Sequence, residues 1–358
     1  MLGVLFFGVF PLSSIIILIL VCYANPHTWY SELLAFSIPP VMIYSAIILL
    51  AFLIIKPARI YLIPLMLAAI LCLKPLLVTV AFSFKEKQGK ADLTVMSYNV
   101  AAFNPQRMID KRSDIETYRN LYNWFRTNKS PDFLCLQEFY HGSDDDYDLT
   151  LDSIASLGGY KYYYINPRYN RHTNGIYGVI TFSKYRAINA GQIFYGDTLV
   201  NKGIYNDFII ENDTVRIVNF QLRSMSIRWQ KADSLDMYDN LNLNVDNIVG
   251  RLIEGNELRR DEIAVVDDFL RQSQFKTIIC ADVNSVPYSA TYQKLNKNYY
   301  NAFEKGGTGL GFTYNRFPKV IRIDNQFYDK RLGIEYFVTH QEMRFSDHYP
   351  IEAGYFFK

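Results

Sequence analysis

The sequence predicts an α/β domain preceded by three transmembrane helices. Three observations carry this. Charge is nearly absent from the first 84 residues, apolar strands alternate with amphipathic helices after residue 92, and polar side chains recur where those strands stop.

Between Met1 and Phe84 the only charged residues are Glu32, Lys56, Arg59 and Lys74. Three apolar runs occupy residues 2–22, 38–55 and 60–82, the last interrupted by Lys74-Pro75. Each is about twenty residues long, enough to cross a hydrocarbon core of roughly 30 Å. A secretory signal peptide is one short apolar stretch with a cleavage site, which three runs exceed. A buried helical domain needs a polar face at helical spacing, and these runs show almost none. The expectation is a multi-pass membrane protein: a membrane region over 1–84, a linker over 85–92 and a soluble domain over 93–358. The loop KPAR (56–59) carries two positive charges, whereas the loop between the first two runs has no Lys or Arg and holds Trp29 and Tyr30. Positive charge favours the cytoplasmic side, which puts the soluble domain on the extracytoplasmic face. Lys85, Lys87 and Lys90, just beyond the third run, pull the other way.

Of 37 Lys plus Arg and 35 Asp plus Glu, 31 and 33 lie after residue 90, so the soluble part is close to neutral. A duplex-DNA binder usually carries a basic excess on its domain, so nucleic acid is not the favoured partner. The four cysteines have no zinc-site or disulfide spacing and read as small buried hydrophobes.

The soluble part runs as follows. TVMSYNV (94–100) and PDFLCLQE (131–138) read as buried strands. Between them, 113–129 puts Ile115, Tyr118, Leu121, Tyr122 and Phe125 at helical spacing, with Ser113 and Glu116 as a capping box. Strands follow at 160–165, 175–183, 207–211 and 214–222, then a helical stretch over 228–272, then strands at 277–284, 322–328, 335–340 and 348–357. The acidic run Ser143-Asp144-Asp145-Asp146 reads as a solvated loop, since its ligand spacing is irregular for a cation site. Arg259 and Arg260 are either phosphate neighbours or surface charges.

Asn99, Glu138, Asp282 with Asn284, Asp324, and Asp347 with His348 each come where an apolar strand stops. Singly, an Asp or Asn there caps a turn, a Glu is solvated, and a His is a packed, hydrogen-bonded core residue. Together they are hard oxygen donors without cysteine, the set that Mg or Mn takes. With an Asp–His pair alongside, such a site is suited to phosphate ester hydrolysis.

The motifs MSYNV, FLCLQE, YGVITFSK, VNFQL, ADVNSVPYS, RIDNQ and FSDHYP follow one another in the order of the endonuclease/exonuclease/phosphatase superfamily, which this chain resembles from about residue 93 to 356. The resemblance implies a four-layered α/β sandwich of two packed, mostly antiparallel sheets flanked by helices. It implies Glu138 as principal metal ligand with Asn99 and Asp347 near the metal, and Asp282 as the residue that orients and deprotonates water. Asn284, His348 and Gln221 would contact phosphate, and Asp324 would fix the His348 tautomer. The implied cofactor is Mg, with Mn as the alternative, and the implied enzyme is a phosphoric ester hydrolase.

Three motifs depart from the family's usual form. Gln221 stands where the family has a histidine, Ala281 and Val283 alter GDFN to ADVN, and Asn325 follows Asp324 in place of tyrosine. A glutamine amide donates hydrogen bonds but is no acid near neutral pH, so attenuated activity is expected. Three readings stay open: a membrane-anchored phosphoesterase acting on a lipid headgroup or small phosphoester, a nuclease, and a catalytically silent binding module. The sequence is silent on oligomeric state.

Overall fold

The computed structural model describes residues 8–24, 28–55, 62–83, 91–101, 122–141, 151–170, 175–194, 202–224, 237–316 and 320–358. The KPAR loop, most of the 85–92 linker, the first half of the 113–129 helix, the acidic run at 143–146 and residues 228–236 lie outside the described residues. The chain forms two compact units, one of Met1–Thr79, Arg223–Asp261 and Ser285–Lys294, the other of Val80–Leu222, Glu262–Asn284 and Leu295–Lys358.

In the first unit the apolar runs do not become membrane spans. Among the described residues no helix is long and apolar enough to cross a membrane. The first run breaks into an α-helix, Phe10–Leu18, and a π-helix, Ile19–Ala24. The third breaks at Cys72 into Leu62–Leu71 and Leu73–Thr79. Pro75 has no N–H to offer the carbonyl four residues back, which interrupts the ladder there. The second run forms one helix, Ile38–Ile55, of 18 residues. The multi-pass expectation, and with it the extracytoplasmic placement, is thereby overturned. The helices pack on one another instead, Phe10–Leu18 against Leu62–Leu71 and Ile38–Ile55. Lys74 Nζ donates to the Cys22 carbonyl. Ile16, Ile43, Ile47, Leu50, Ile54, Ile63 and Leu77 remain exposed.

The one acid of residues 1–84 is buried. Glu32, on the helix Trp29–Ala35, is 3% exposed and accepts from Ser285 Oγ at 2.6 Å, Thr291 N at 3.0 Å and Thr291 Oγ1 at 3.2 Å.

The second unit is a sandwich of two six-stranded sheets. One sheet orders its strands β13-β14-β2-β3-β5-β4, with β2 at Leu93–Asn99, β3 at Phe133–His141, β4 at Tyr162–Asn170, β5 at Gly175–Ser183, β13 at Leu332–Thr339 and β14 at Ile351–Phe357. The other orders them β10-β12-β9-β8-β7-β6, with β6 at Ala187–Phe194, β7 at Lys202–Ile210, β8 at Asp213–Gln221, β9 at Lys276–Asp282, β10 at Tyr300–Asn301 and β12 at Asp324–Tyr328. A short ribbon pairs β1, Val80–Phe82, with β11, Thr308–Leu310. Each sheet is antiparallel except for one internal pair, β2 with β3 and β8 with β9.

Side chains alternate across a strand, and this decides the layers. Leu93, Val95, Phe133 and Cys135 from one sheet meet Val215, Ile217, Ile278 and Cys280 from the other in a single core. The opposite face of the first sheet puts Met96, Tyr98, Leu134, Leu136, Ile180 and Phe182 against Trp124 and Phe125 of the helix over 122–127 and Ile154 of the helix Leu151–Gly158. The long helix Met237–Arg271 contributes Ile263, Val266 and Leu270 to the buried interior. Two packed sheets flanked by helices agree with the sandwich that the resemblance implies.

Candidate active site

Toward one end of the sandwich the inward-facing residues change character two by two. On β2 they run Leu93, Val95, Ser97, Asn99; on β3, Phe133, Cys135, Gln137; on β8, Val215, Ile217, Asn219, Gln221; on β9, Ile278, Cys280, Asp282. Both parallel pairs finish at this end, where Asn99 lies opposite Gln137 and Gln221 opposite Asp282. Asp324 does not end a strand, as the sequence reading supposed. It begins β12, and because β12 is antiparallel to β9, Asp324 lands directly opposite Asp282.

The side chains form one hydrogen-bond network around Asp282 and an Asp324–His348 pair beside it. Asn99 Nδ2 donates to Asp282 Oδ2 at 2.8 Å and to Glu138 Oε1 at 3.2 Å. Gln221 Nε2 donates to Glu138 Oε1 at 2.5 Å and to Asp282 Oδ2 at 3.2 Å. Asn284 closes a turn on Asp282, donating its backbone N–H to Oδ1 at 3.0 Å and its amide to Oδ2 at 3.2 Å. His348 Nδ1 meets Asp324 Oδ2 at 2.8 Å, and its Nε2 lies 3.9 Å from Asp347 Oδ1. Asp282, Asp324 and His348 are buried, while Glu138, Asn284 and Asp347 are partly open.

Electrostatics follow from this crowding. Burial, reinforced by Asp324, pushes the Asp282 carboxyl up to about 7, against the opposing pull of His348 and the Asn99 hydrogen bond. Burial alone would lower His348, but Asp324, with Asp282 and Asp347 behind it, outweighs burial and raises it to about 10. The imidazole is therefore held charged at neutral pH. Since Nδ1 is committed to Asp324, the N–H on Nε2 is the one free to serve a ligand.

A hard divalent cation fits these donors. Ligand atoms of Asp282, Asp324 and His348 lie within 4.8 Å of one another. Asp324 Oδ1 is buried without a hydrogen-bond partner among the described residues. A protonated imidazole is no metal ligand, so a cation here would take carboxylate oxygen, and Glu138, bonded to the same two amides as Asp282, is a carboxylate partly open to solvent. Asn99 presents nitrogen to the acids while its Oδ1 accepts from Ala101 N at 2.9 Å. Acting as a ligand would require turning its amide over.

Four residues around the site were not singled out from sequence. Thr313 Oγ1 accepts from both Ile323 N and Asp324 N at 3.1 Å. The Tyr314 ring stands edge-on to His348 at 5.5 Å. Ser346 Oγ donates to Asn99 O at 2.8 Å and accepts from His348 N at 3.2 Å. Asn219 lies beneath Gln221. Only Asn219 had a legible signal, the two-residue period of its strand; the other three sit in loops without periodicity. Arg259 is buried, donating to Arg223 O at 2.9 Å, and Arg260 pairs with Asp261 on the surface at 3.1 Å.

Comparison with known proteins places this geometry. No curated protein matches the sequence. Solved structures do match in fold. An endonuclease/exonuclease/phosphatase from Beutenbergia cavernae superposes with TM-score 0.54 at 11% identity, covering 75% of this chain and 72% of its own. The human Nocturnin catalytic domain, solved with a bound sulfate anion, gives 0.52 at 18%, covering 74% and 93%. A Bacteroides thetaiotaomicron mannosyl-6-phosphatase gives 0.51 at 15%, covering 74% and 100%. The sequence itself matches the Endonuclease/Exonuclease/phosphatase family over residues 96–348, a stretch that runs from β2 to His348 and takes in every residue of the network above. The chain belongs to the endonuclease/exonuclease/phosphatase family.

Proposed function

We propose that the protein hydrolyses a small phosphoester with the help of a divalent cation, Mg or Mn. The observation that carries this reading is the pairing of a carboxyl raised to about 7, Asp282, with an imidazole raised to about 10, His348, at one strand end. A base poised near neutrality and a charged donor beside it are what attack on phosphorus requires.

The roles follow from the hydrogen bonds. Asp282, aligned by Asn99, Gln221 and Asn284, orients a water and takes its proton. His348 donates from Nε2 to a phosphoryl oxygen and offsets charge that grows there, while Asp324 keeps the ring oriented and protonated. Glu138 would hold the cation, with Asn99 and Asp347 nearby, and a bound cation would neutralise phosphate charge. Gln221 contributes hydrogen bonds but no proton, so the leaving group departs without its help and turnover is slow for the family.

Substrate class is argued by charge. The near-neutral domain disfavours a long polyanion, and the lipid-headgroup expectation rested on a membrane tether that the structure does not support. The family includes nucleases and phosphatases, and the Bacteroides relative named above is a sugar phosphatase. The test is a panel: the full-length chain with Mg or Mn against sugar phosphates, bis-p-nitrophenyl phosphate, phospholipid vesicles and plasmid DNA. Turnover of a small ester with DNA untouched supports the reading. Cleavage of DNA that weakens steeply with added salt replaces it with the nuclease reading.

A further inference from the structure

Glu138 stands on the wrong face for its place in the strand. By the two-residue period it should share the outer face of β3 with Leu134 and Leu136, beneath Trp124 and Ile154. Instead its carboxylate reaches Asn99 and Gln221 on the inner side. The cause is a β-bulge. Pairing with β5 jumps from Leu136↔Ile180 to Phe139↔Gly178, so Gln137 and Glu138 together oppose Val179. Glu138 takes φ 51, in the left-handed region that costs a non-glycine residue free energy. Phe139 then returns to the outer cluster.

A strained conformation persists only where neighbours over-determine it. The neighbour here is Asn219, fully buried on the facing sheet. Its Nδ2 donates to Leu136 O at 3.2 Å and Ile180 O at 2.9 Å, the two carbonyls of the last regular pair before the bulge. Its Oδ1 accepts from Gln137 Nε2 at 2.7 Å, and Gln137 Nε2 also reaches Ser97 Oγ at 3.1 Å. We propose that Asn219 is a positioning residue: it clamps the β3 bulge from across the sandwich and so turns Glu138 out of an apolar layer to face the cation. The clamp touches neither substrate nor cation. Its consequence for cation binding rests on the functional reading above; the clamp itself does not.

The experiment uses full-length protein freed of metal and titrated with Mn²⁺, read by electron paramagnetic resonance. Asn219→Asp keeps the shape but turns the donor into an acceptor facing two carbonyls. It is expected to weaken Mn²⁺ binding about 10–100-fold, the usual loss when a residue supporting a metal ligand is changed. Gln137→Met, which keeps the bulk and removes the bond to Asn219, shifts affinity the same way and serves if Asn219→Asp does not fold. Ile334→Val, a core change on β13, which β14 and β2 separate from β3, lowers the melting temperature and leaves Mn²⁺ affinity alone. Folded Asn219→Asp and Gln137→Met proteins that bind Mn²⁺ like wild type, where Glu138→Ala does not, overturn the proposal. If Glu138→Ala also binds like wild type, the cation reading fails instead. Crystal structures of Asn219→Asp and Gln137→Met then decide the clamp: residue 138 leaving the left-handed region supports it, and residue 138 keeping its conformation in both overturns it.

Discussion

Asp282 and His348 are driven apart in ionisation by shared neighbours. Asp324 raises both, which opposes charge on the acid and favours it on the base. Turnover needs Asp282 ionised and His348 protonated, so the pH–rate profile should be bell-shaped, with an alkaline limb near 10. The acidic limb should fall at or below 7, because a bound cation favours the carboxylate. The sign for stability is the same for the two groups, because both are raised and each loses stability as pH climbs. Asp282 is raised from 3.8 to about 7, so the metal-free fold gives up stability as pH climbs between these values. His348 is raised from 6.5 to about 10, so its contribution is complete below 6.5 and is lost as pH rises through 10. Melting curves in chelator at pH 4 and pH 8 check the first sign. Asp282→Asn should stabilise the metal-free protein at pH 8, by at most about 4 kcal/mol, and should have little effect at pH 4. Gln221→His restores a group able to move a proton, and steady-state kinetics should show kcat rising at least about 10-fold. A variant no faster than wild type contradicts the role given to Gln221. At this scale the sequence singled out residues that the fold brings together: Asn99, Glu138, Gln221, Asp282 and Asn284 share one hydrogen-bond network, and Asp324 pairs with His348 opposite Asp282, with Asp347 beside His348; their roles are those proposed above. Thr313, Tyr314 and Ser346 were not legible, because their partners are distant in sequence and no local pattern marks them.

At the scale of elements, strand direction matters as much as strand position. Asp324 and Asp282 are opposite one another because β12 runs against β9, which a list of apolar runs does not reveal. The bulge at Gln137–Glu138 is likewise invisible to a strict two-residue period, which would have sent Glu138 into the outer apolar layer. Strand β6 (Ala187–Phe194) was missed because Asn189, Gly191 and Gln192 dilute its apolar character. In the helical unit, Glu32 is the acid that ties Trp29–Ala35 to the segment from Ser285 to Thr291, the segment that leaves Asn284. Glu32→Ala leaves the Ser285 hydroxyl and the Thr291 N–H without their acceptor, and should cost about 1–3 kcal/mol of stability. Glu32→Gln keeps an acceptor and should cost less. Chemical denaturation of the two variants reads the difference; equal stability of Glu32→Ala and wild type contradicts the role.

For the whole molecule, hydropathy misled where it was strongest. A run of apolar residues reports composition, not the length of the helix it forms. The π-helix after Leu18 and the break before Pro75 interrupt two of the three runs. In the sandwich a near-neutral total accompanies a site with buried acids, which could hold a cation. The account stands on that cation serving Glu138 and Asp282 in phosphoester hydrolysis. The most direct test is turnover of bis-p-nitrophenyl phosphate and p-nitrophenyl phosphate by full-length protein, first in chelator and then with excess Mg²⁺ or Mn²⁺, beside Glu138→Ala and Asp282→Asn. Turnover should appear only with metal and fall by at least about 100-fold in either variant. Metal-independent turnover, variants as active as wild type, or no turnover of either ester with metal bound would contradict it.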